Sequence, residues 1–103
     1  SGREKELIKQ GGFCLYPSEI EKIVRQHSAV DMVVLVGTKD RFENEIGCLF
    51  VKLFDDNQKR DFEVWLDNTM DRDYLPRQIR YVQELLFTPN GKIDKQKMLQ
   101  ACA

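Results

Sequence analysis

The run Ala29-Val30-Asp31-Met32-Val33-Val34-Leu35-Val36, with Glu45-Ile46-Gly47-Cys48-Leu49-Phe50-Val51-Lys52-Leu53 after it, decides the architecture. The first run is apolar apart from Asp31 and rich in β-branched side chains, the pattern of a central strand covered on both faces. In the second, Ile46, Cys48 and Phe50 fall on one strand face and Leu49, Val51 and Leu53 on the other, so it too is expected to be buried on both sides. Gly37-Thr38-Lys39-Asp40 is expected to end the first strand, and the mainly polar stretch Arg41 to Asn44 turns the chain into an antiparallel return.

Toward the N-terminus, Pro17 to His27 carries Ile20, Ile23, Val24 and His27 at helical spacing, with Glu21 and Arg25 as an i,i+4 pair on the other side. Pro17 suits the first turn of that helix. Before it, Leu7 to Tyr16 places two short apolar arms around Gly11-Gly12, which predicts a hairpin because glycine reaches positive φ at little steric cost. Toward the C-terminus, the polar segment Asp55 to Gln58 leads into a second helix, where Phe62, Trp65, Leu66 and Met70 share one face and Trp65 reads as core. Pro76 ends that region, Ile79 to Val82 is a short strand, Thr88-Pro89-Asn90-Gly91 is a turn, and Lys92 to Ala101 is a terminal helix. The expected fold is α+β: an N-terminal β-hairpin and a small, mainly antiparallel three-stranded sheet flanked by helices.

Composition bounds what such a domain does. At 103 residues the chain suits a single domain. Its 16 Lys plus Arg against 17 Asp plus Glu leave no cationic surplus to displace counterions from phosphates, so no nucleic-acid partner is expected. The three cysteines, Cys14, Cys48 and Cys102, form no CxxC pair, which argues against a disulfide framework or a zinc site, and no metal ligands are expected. Cys48 reads as a small core residue. No run is long and apolar enough for a membrane span, and Ser1-Gly2-Arg3-Glu4-Lys5 lacks the apolar stretch of a signal peptide. A soluble, cytoplasmic protein is expected. The single histidine lies on an apolar helix face, and periodicity alone offers no catalytic set.

Three motifs add a function. Gly2-Arg3-Glu4-Lys5-Glu6-Leu7-Ile8-Lys9 leads to Gly12-Phe13 and to Tyr16-Pro17-Ser18-Glu19-Ile20-Glu21. Val33-Val34-Leu35-Val36-Gly37 is followed by Asp40 and Glu45, and Thr88-Pro89-Asn90-Gly91-Lys92-Ile93-Asp94-Lys95 closes the series. In this order they resemble the C-terminal subdomain of the adenylate-forming superfamily, which includes acyl-CoA synthetases, peptide-synthetase adenylation domains and beetle luciferases.

The resemblance implies a two-step reaction. A carboxylate attacks the α-phosphate of ATP to give an acyl-adenylate, and a thiol then displaces AMP to give a thioester. It also implies that residues 1–103 are the lid of a larger ligase, with a hinge in 1–6. The N-terminal domain of that ligase would bind most of the ATP, its Mg2+ and the carboxylic acid. The isolated lid is expected to be inactive. Lys92 matches the adenylation lysine, a cation delivered to where carboxylate and phosphate meet. Lys5 matches the hinge residue, and Arg3 a position near the nucleotide. Gly11, Gly12 and Phe13 match the hairpin lining the pantetheine channel, and Lys9 a lysine that serves the second half-reaction. Glu19, Glu21 and His27 read as structural.

Three departures stand out: Ser28 replaces a proline, Cys14 stands where a basic or amide side chain is common, and Asn44 replaces a glycine whose left-handed turn it is expected to keep. Lysine at the hinge looks more like acyl-CoA synthetases of fatty or aromatic acids, with CoA as acceptor. The alternatives are an amino-acid- or aryl-acid-activating enzyme that loads a carrier-protein pantetheine, and a non-catalytic interaction module.

Overall fold

The computed structural model describes residues 6–101. A hairpin of β1 (Ile8–Gln10) and β2 (Phe13–Leu15) is followed by α1 (Pro17–Val24). The long strands β3 (Val30–Lys39) and β4 (Glu45–Leu53) come next, then α2 (Lys59–Thr69), β5 (Gln78–Tyr81) and α3 (Lys95–Ala101). The α+β class, the hairpin and the three-stranded sheet match the sequence reading. Strand order is β3-β4-β5, so β4 is the central strand and β3, expected at the centre, is an edge. β3 runs antiparallel to β4, whereas β5 adds parallel to it, with Leu49 opposite Ile79 and Phe50 opposite Arg80. The sheet is therefore mixed.

Alternation along the two long strands produces two cores. Val33, Leu35, Leu49, Val51 and Leu53 face one way and pack with Ile8, Leu15, α1 and the Phe62 and Leu66 stripe of α2. Val34, Val36, Cys48 and Phe50 face the other way and are covered by Leu85 and Met98 from the C-terminal segment. This is why both strands read as apolar without a polar face. Trp65 is half-buried against the first core, stacked near Phe62. His27 lies beyond the end of α1, where its Nδ1 accepts the Ala29 N–H at 3.1 Å and its ring meets Trp65 edge-on at 5.0 Å. That is a structural role, as expected.

Four further features differ from the sequence reading. β3 continues through Gly37 to Lys39, because Gly37 pairs with Gly47 across the ladder. Gly47 must be small: a Cβ there would sit 3.0 Å from a Leu15 methyl and 3.2 Å from one of Leu35. In the β3–β4 turn it is Glu43, at φ 65, and not Asn44 that takes the left-handed conformation. Asp40 fixes that turn by accepting the N–H groups of Phe42 at 2.8 Å and Asn44 at 3.0 Å. Those bonds, led by the one from Asn44, hold its carboxyl below the ordinary carboxylate range. The C-terminal helix starts at Lys95 and not at Lys92, since Asp94 caps it by accepting the Lys97 N–H.

Glu21 is the fourth difference. It is buried at 4% exposure, and its Oε2 accepts the Leu35 N–H at 2.8 Å, with Arg25 3.9 Å from its other oxygen. Its carboxylate thus occupies the outer rim of β3, which blunts an edge that would otherwise invite another strand.

Candidate functional site

The segment that carries Lys92 is a closed turn. Phe87 bridges to Ile93, and inside that bridge the Thr88 N–H donates to the Lys92 carbonyl at 2.6 Å. The Lys92 N–H returns to Thr88 Oγ1 at 3.2 Å, and the Gly91 N–H reaches the Thr88 carbonyl at 2.9 Å. Gly91 has φ 85, so the chain reverses within this short span. Thr88 therefore grips the lysine backbone from both sides while the Lys92 side chain stays exposed. Among the described residues Lys92 has no salt-bridge partner. Below the turn, the Asp94 N–H donates to the Leu86 carbonyl at 2.8 Å, and Leu85 and the 1%-exposed Met98 hold the segment to the second core. The arrangement is a rigid base under a flexible cationic stem, which suits delivery of positive charge to a docked anion.

The hairpin sits on the opposite face of the sheet. Ile8 and Leu15 bury in the first core, and Gly11 and Gly12 turn between the strands at φ 58 and φ 85. A Cβ on Gly12 would meet nothing within 4 Å, so within this domain the residue is set by backbone conformation and the space beyond it is open. Phe13, 38% exposed, meets the Tyr74 ring edge-on at 5.5 Å. Lys9 and Cys14 are partners across the two strands; Lys9 is exposed, and its N–H donates to Glu45 Oε2 at 3.3 Å.

Gln10, which the sequence reading passed over, anchors this hairpin. It is 2% exposed; its Oε1 accepts the N–H groups of Gly47 and Arg77, both at 3.0 Å, and its Nε2 donates to the Leu75 carbonyl at 2.7 Å. A glutamine in a short arm carries no sequence signal for such a role.

Lys92 and Gly12 thus belong to segments packed on opposite faces of one sheet, and both are exposed. Arg3 and Lys5 lie outside the described residues. A cleft of about 400 Å³ lies between the chain entry and the ends of β3 and β4, lined by Glu6, Gly37, Lys39, Glu45 and Lys95 among others. A second, of about 360 Å³, opens between Cys14, Tyr16, Ile20, Met70 and Tyr74. Among the described residues no group of three or more His, Cys, Asp or Glu is placed to hold a metal ion. No helix among them is long and apolar enough to cross a membrane.

Comparison with known proteins agrees with this fold. The model of the AMP-binding enzyme C-terminal domain matches residues 19–92. The medium-chain acyl-CoA ligase ACSF2, mitochondrial, of Macaca fascicularis is 32% identical over 99 residues, which are 94% of this chain and 16% of that protein. A fatty acyl CoA synthetase of Mycobacterium tuberculosis superposes with a TM-score of 0.77 at 26% identity, over 94% of this chain and 20% of that one. The anthranilate CoA ligase AuaEII, in complex with anthranoyl-AMP, superposes with a TM-score of 0.75 at 28% identity, over 92% of this chain and 19% of that one. The chain spans about a fifth of the length of the proteins it matches. With a match over more than half of its residues, the chain belongs to the family of AMP-binding enzyme C-terminal domains, and its relatives are acyl-CoA ligases.

Proposed function

We propose that residues 1–103 are the mobile lid of an ATP-dependent, AMP-forming acyl-CoA synthetase, joined through a hinge in residues 1–6 to an N-terminal domain that holds ATP and the carboxylic acid. The observation that carries this reading is the placement of two exposed turns on opposite faces of a single rigid sheet, one with an ammonium at Lys92 and one with open space at Gly12. A lid of this form presents one face per half-reaction as it rotates about Lys5.

In the first pose, Lys92 lies where the acid's carboxylate oxygen attacks the α-phosphorus of ATP. Negative charge gathers there as the bond to pyrophosphate breaks, and a fixed cation lowers the barrier. Arg3 contacts the nucleotide, where its planar fork of donors matches ribose and phosphate oxygens. In the second pose, Gly11, Gly12 and Phe13 flank the pantetheine arm of CoA. Its thiolate sulfur bonds to the acyl carbonyl carbon, and AMP leaves with the electron pair of the broken anhydride. Lys9, exposed on the same hairpin, stabilises charge in that step. CoA is preferred to a carrier protein as acceptor because the relatives are CoA ligases. The enzyme is placed in the cytoplasm, where ATP and CoA are both at hand, and the lid alone makes no adenylate.

The test uses the full-length enzyme in two assays: pyrophosphate exchange for adenylation, and thioester formation from preformed acyl-adenylate. Lys92→Ala should lower exchange by about a hundredfold or more, the scale of removing one preorganised charge donor, and largely spare the second assay. Gly12→Val, disfavoured at φ 85 and bulky toward the open side, should lower the second assay by at least about tenfold and spare the first. Equal losses in both assays for both variants would refute the two-pose lid.

A further inference from the structure

Glu6, the neighbour of the proposed hinge residue Lys5, has its carboxylate ion-paired with the Lys95 ammonium. The two residues are 89 positions apart. Lys95 opens α3, three residues after Lys92, and the pair lines the cleft at the ends of β3 and β4. Lys95 and Glu6 side chains are 39% and 31% exposed, so the contact is partly shielded from water.

Three ties secure the Lys92 turn. Thr88 closes it locally, and Leu85 and Met98 hold its base to the second core. Only the third, Lys95 to Glu6, reaches the chain at the point where it enters the domain. The first two, together with the bond from the Asp94 N–H to the Leu86 carbonyl, fix the turn on the second core and reach no part of the incoming chain. The ion pair to Glu6 supplies that link.

We propose that the Glu6–Lys95 pair is a positioning strut, which transmits the orientation set at the hinge to the turn that carries Lys92. The proposal rests on the reading of Lys92 as the adenylation lysine. It assigns Lys95 no contact with substrate: the lysine acts by holding Lys92 at a defined angle to the incoming chain. Because the strut acts through Lys92, which serves adenylation, its loss should be felt in that half-reaction and not in the other.

The experiment is a charge swap in the full-length enzyme, read in the two assays above. Glu6→Lys and Lys95→Glu each place like charges together and should slow pyrophosphate exchange about fivefold, the scale of one partly exposed ion pair. Thioester formation from preformed adenylate should stay within about twofold of the parent. The double variant Glu6→Lys with Lys95→Glu should recover exchange to within about twofold, because the pair is restored with its polarity reversed. Lys95→Gln serves as a neutral variant and should fall between parent and Lys95→Glu. Failure of the double variant to improve on the worse single variant would overturn the strut and mark Lys95 as acting directly. So would equal loss in both assays, or single variants that match the parent. If Lys92→Ala leaves exchange intact, the function itself is refuted; if it abolishes exchange while the single strut variants do nothing, only the strut is.

Discussion

Replacing Gln10 by leucine removes a polar clamp while keeping nearly the same side-chain volume, so its cost can be worked from the bonds it breaks. The Gly47 N–H, on a buried residue of the central strand, loses its 3.0 Å acceptor, the Arg77 N–H loses the same acceptor, and the Leu75 carbonyl loses its donor, the last two in part-buried bonds. A buried group left unpaired costs about 1–3 kcal/mol. Counting Gly47 in full and the two wetter groups at the low end gives about 3–5 kcal/mol. The leucine regains about 1 kcal/mol of apolar transfer in a site that stays 2% exposed. A net loss of about 3 kcal/mol is a large share of the about 5–15 kcal/mol that holds a domain together. Thermal unfolding by circular dichroism should show Tm lower by about 15 °C, on the usual about 4–8 °C per kcal/mol for a domain of this size. Gln10→Glu keeps Oε1 as acceptor for both N–H groups and should lose less. A Gln10→Leu variant within about 1 kcal/mol of the parent by urea unfolding would refute the claim that these three bonds anchor the hairpin.

Phe50→Ala empties a fully buried site between β4 and the C-terminal segment and should cost about 3–5 kcal/mol in urea unfolding. Burial, together with a hydrogen bond donated to Glu63, pushes the Tyr81 hydroxyl above its ordinary value. In a spectrophotometric titration Tyr81 should ionise above the ordinary tyrosine range, and Glu63→Gln should bring it back toward that range. Because its folded value is raised, the stability Tyr81 lends is whole below its unfolded value of about 10 and is lost as pH rises through the folded one. The urea midpoint should therefore decline above about pH 10, and less so in Glu63→Gln.

The elements were legible wherever a local pattern fixes them. Runs apolar on both strand faces gave β3 and β4, the Phe62 to Met70 stripe gave α2, and paired glycines gave the first hairpin. Long-range relations were not. Nothing local says that Ile79 joins β4 in parallel and pushes β3 to the rim, since that pairing depends on a crossover through α2. Glu21 looks like half of a surface ion pair because helical spacing to Arg25 is all a sequence displays; the Leu35 N–H that draws it inward comes from another element. Gly37 reads as a stop, yet a strand continues through glycine when its ladder partner is glycine too. For the site, the turn below Lys92 was visible in Thr88-Pro89-Asn90-Gly91, whereas the contact of Lys95 with Glu6 joins opposite ends of the chain.

The mixed sheet imposes an order of assembly. β3 and β4 meet across a loop of a few residues, a closure that hairpins complete in about 1–10 μs. β5 finds its place only after the chain from Phe54 to Arg77 has looped over and docked Phe62 and Leu66, a slower search with a larger closure entropy. Because β5 follows β4 by a long stretch of chain, the β4 rim it covers stays unpaired until residues 78–81 are in place. The segment after β5, which covers the second core and carries Lys92, then closes the domain like a clasp.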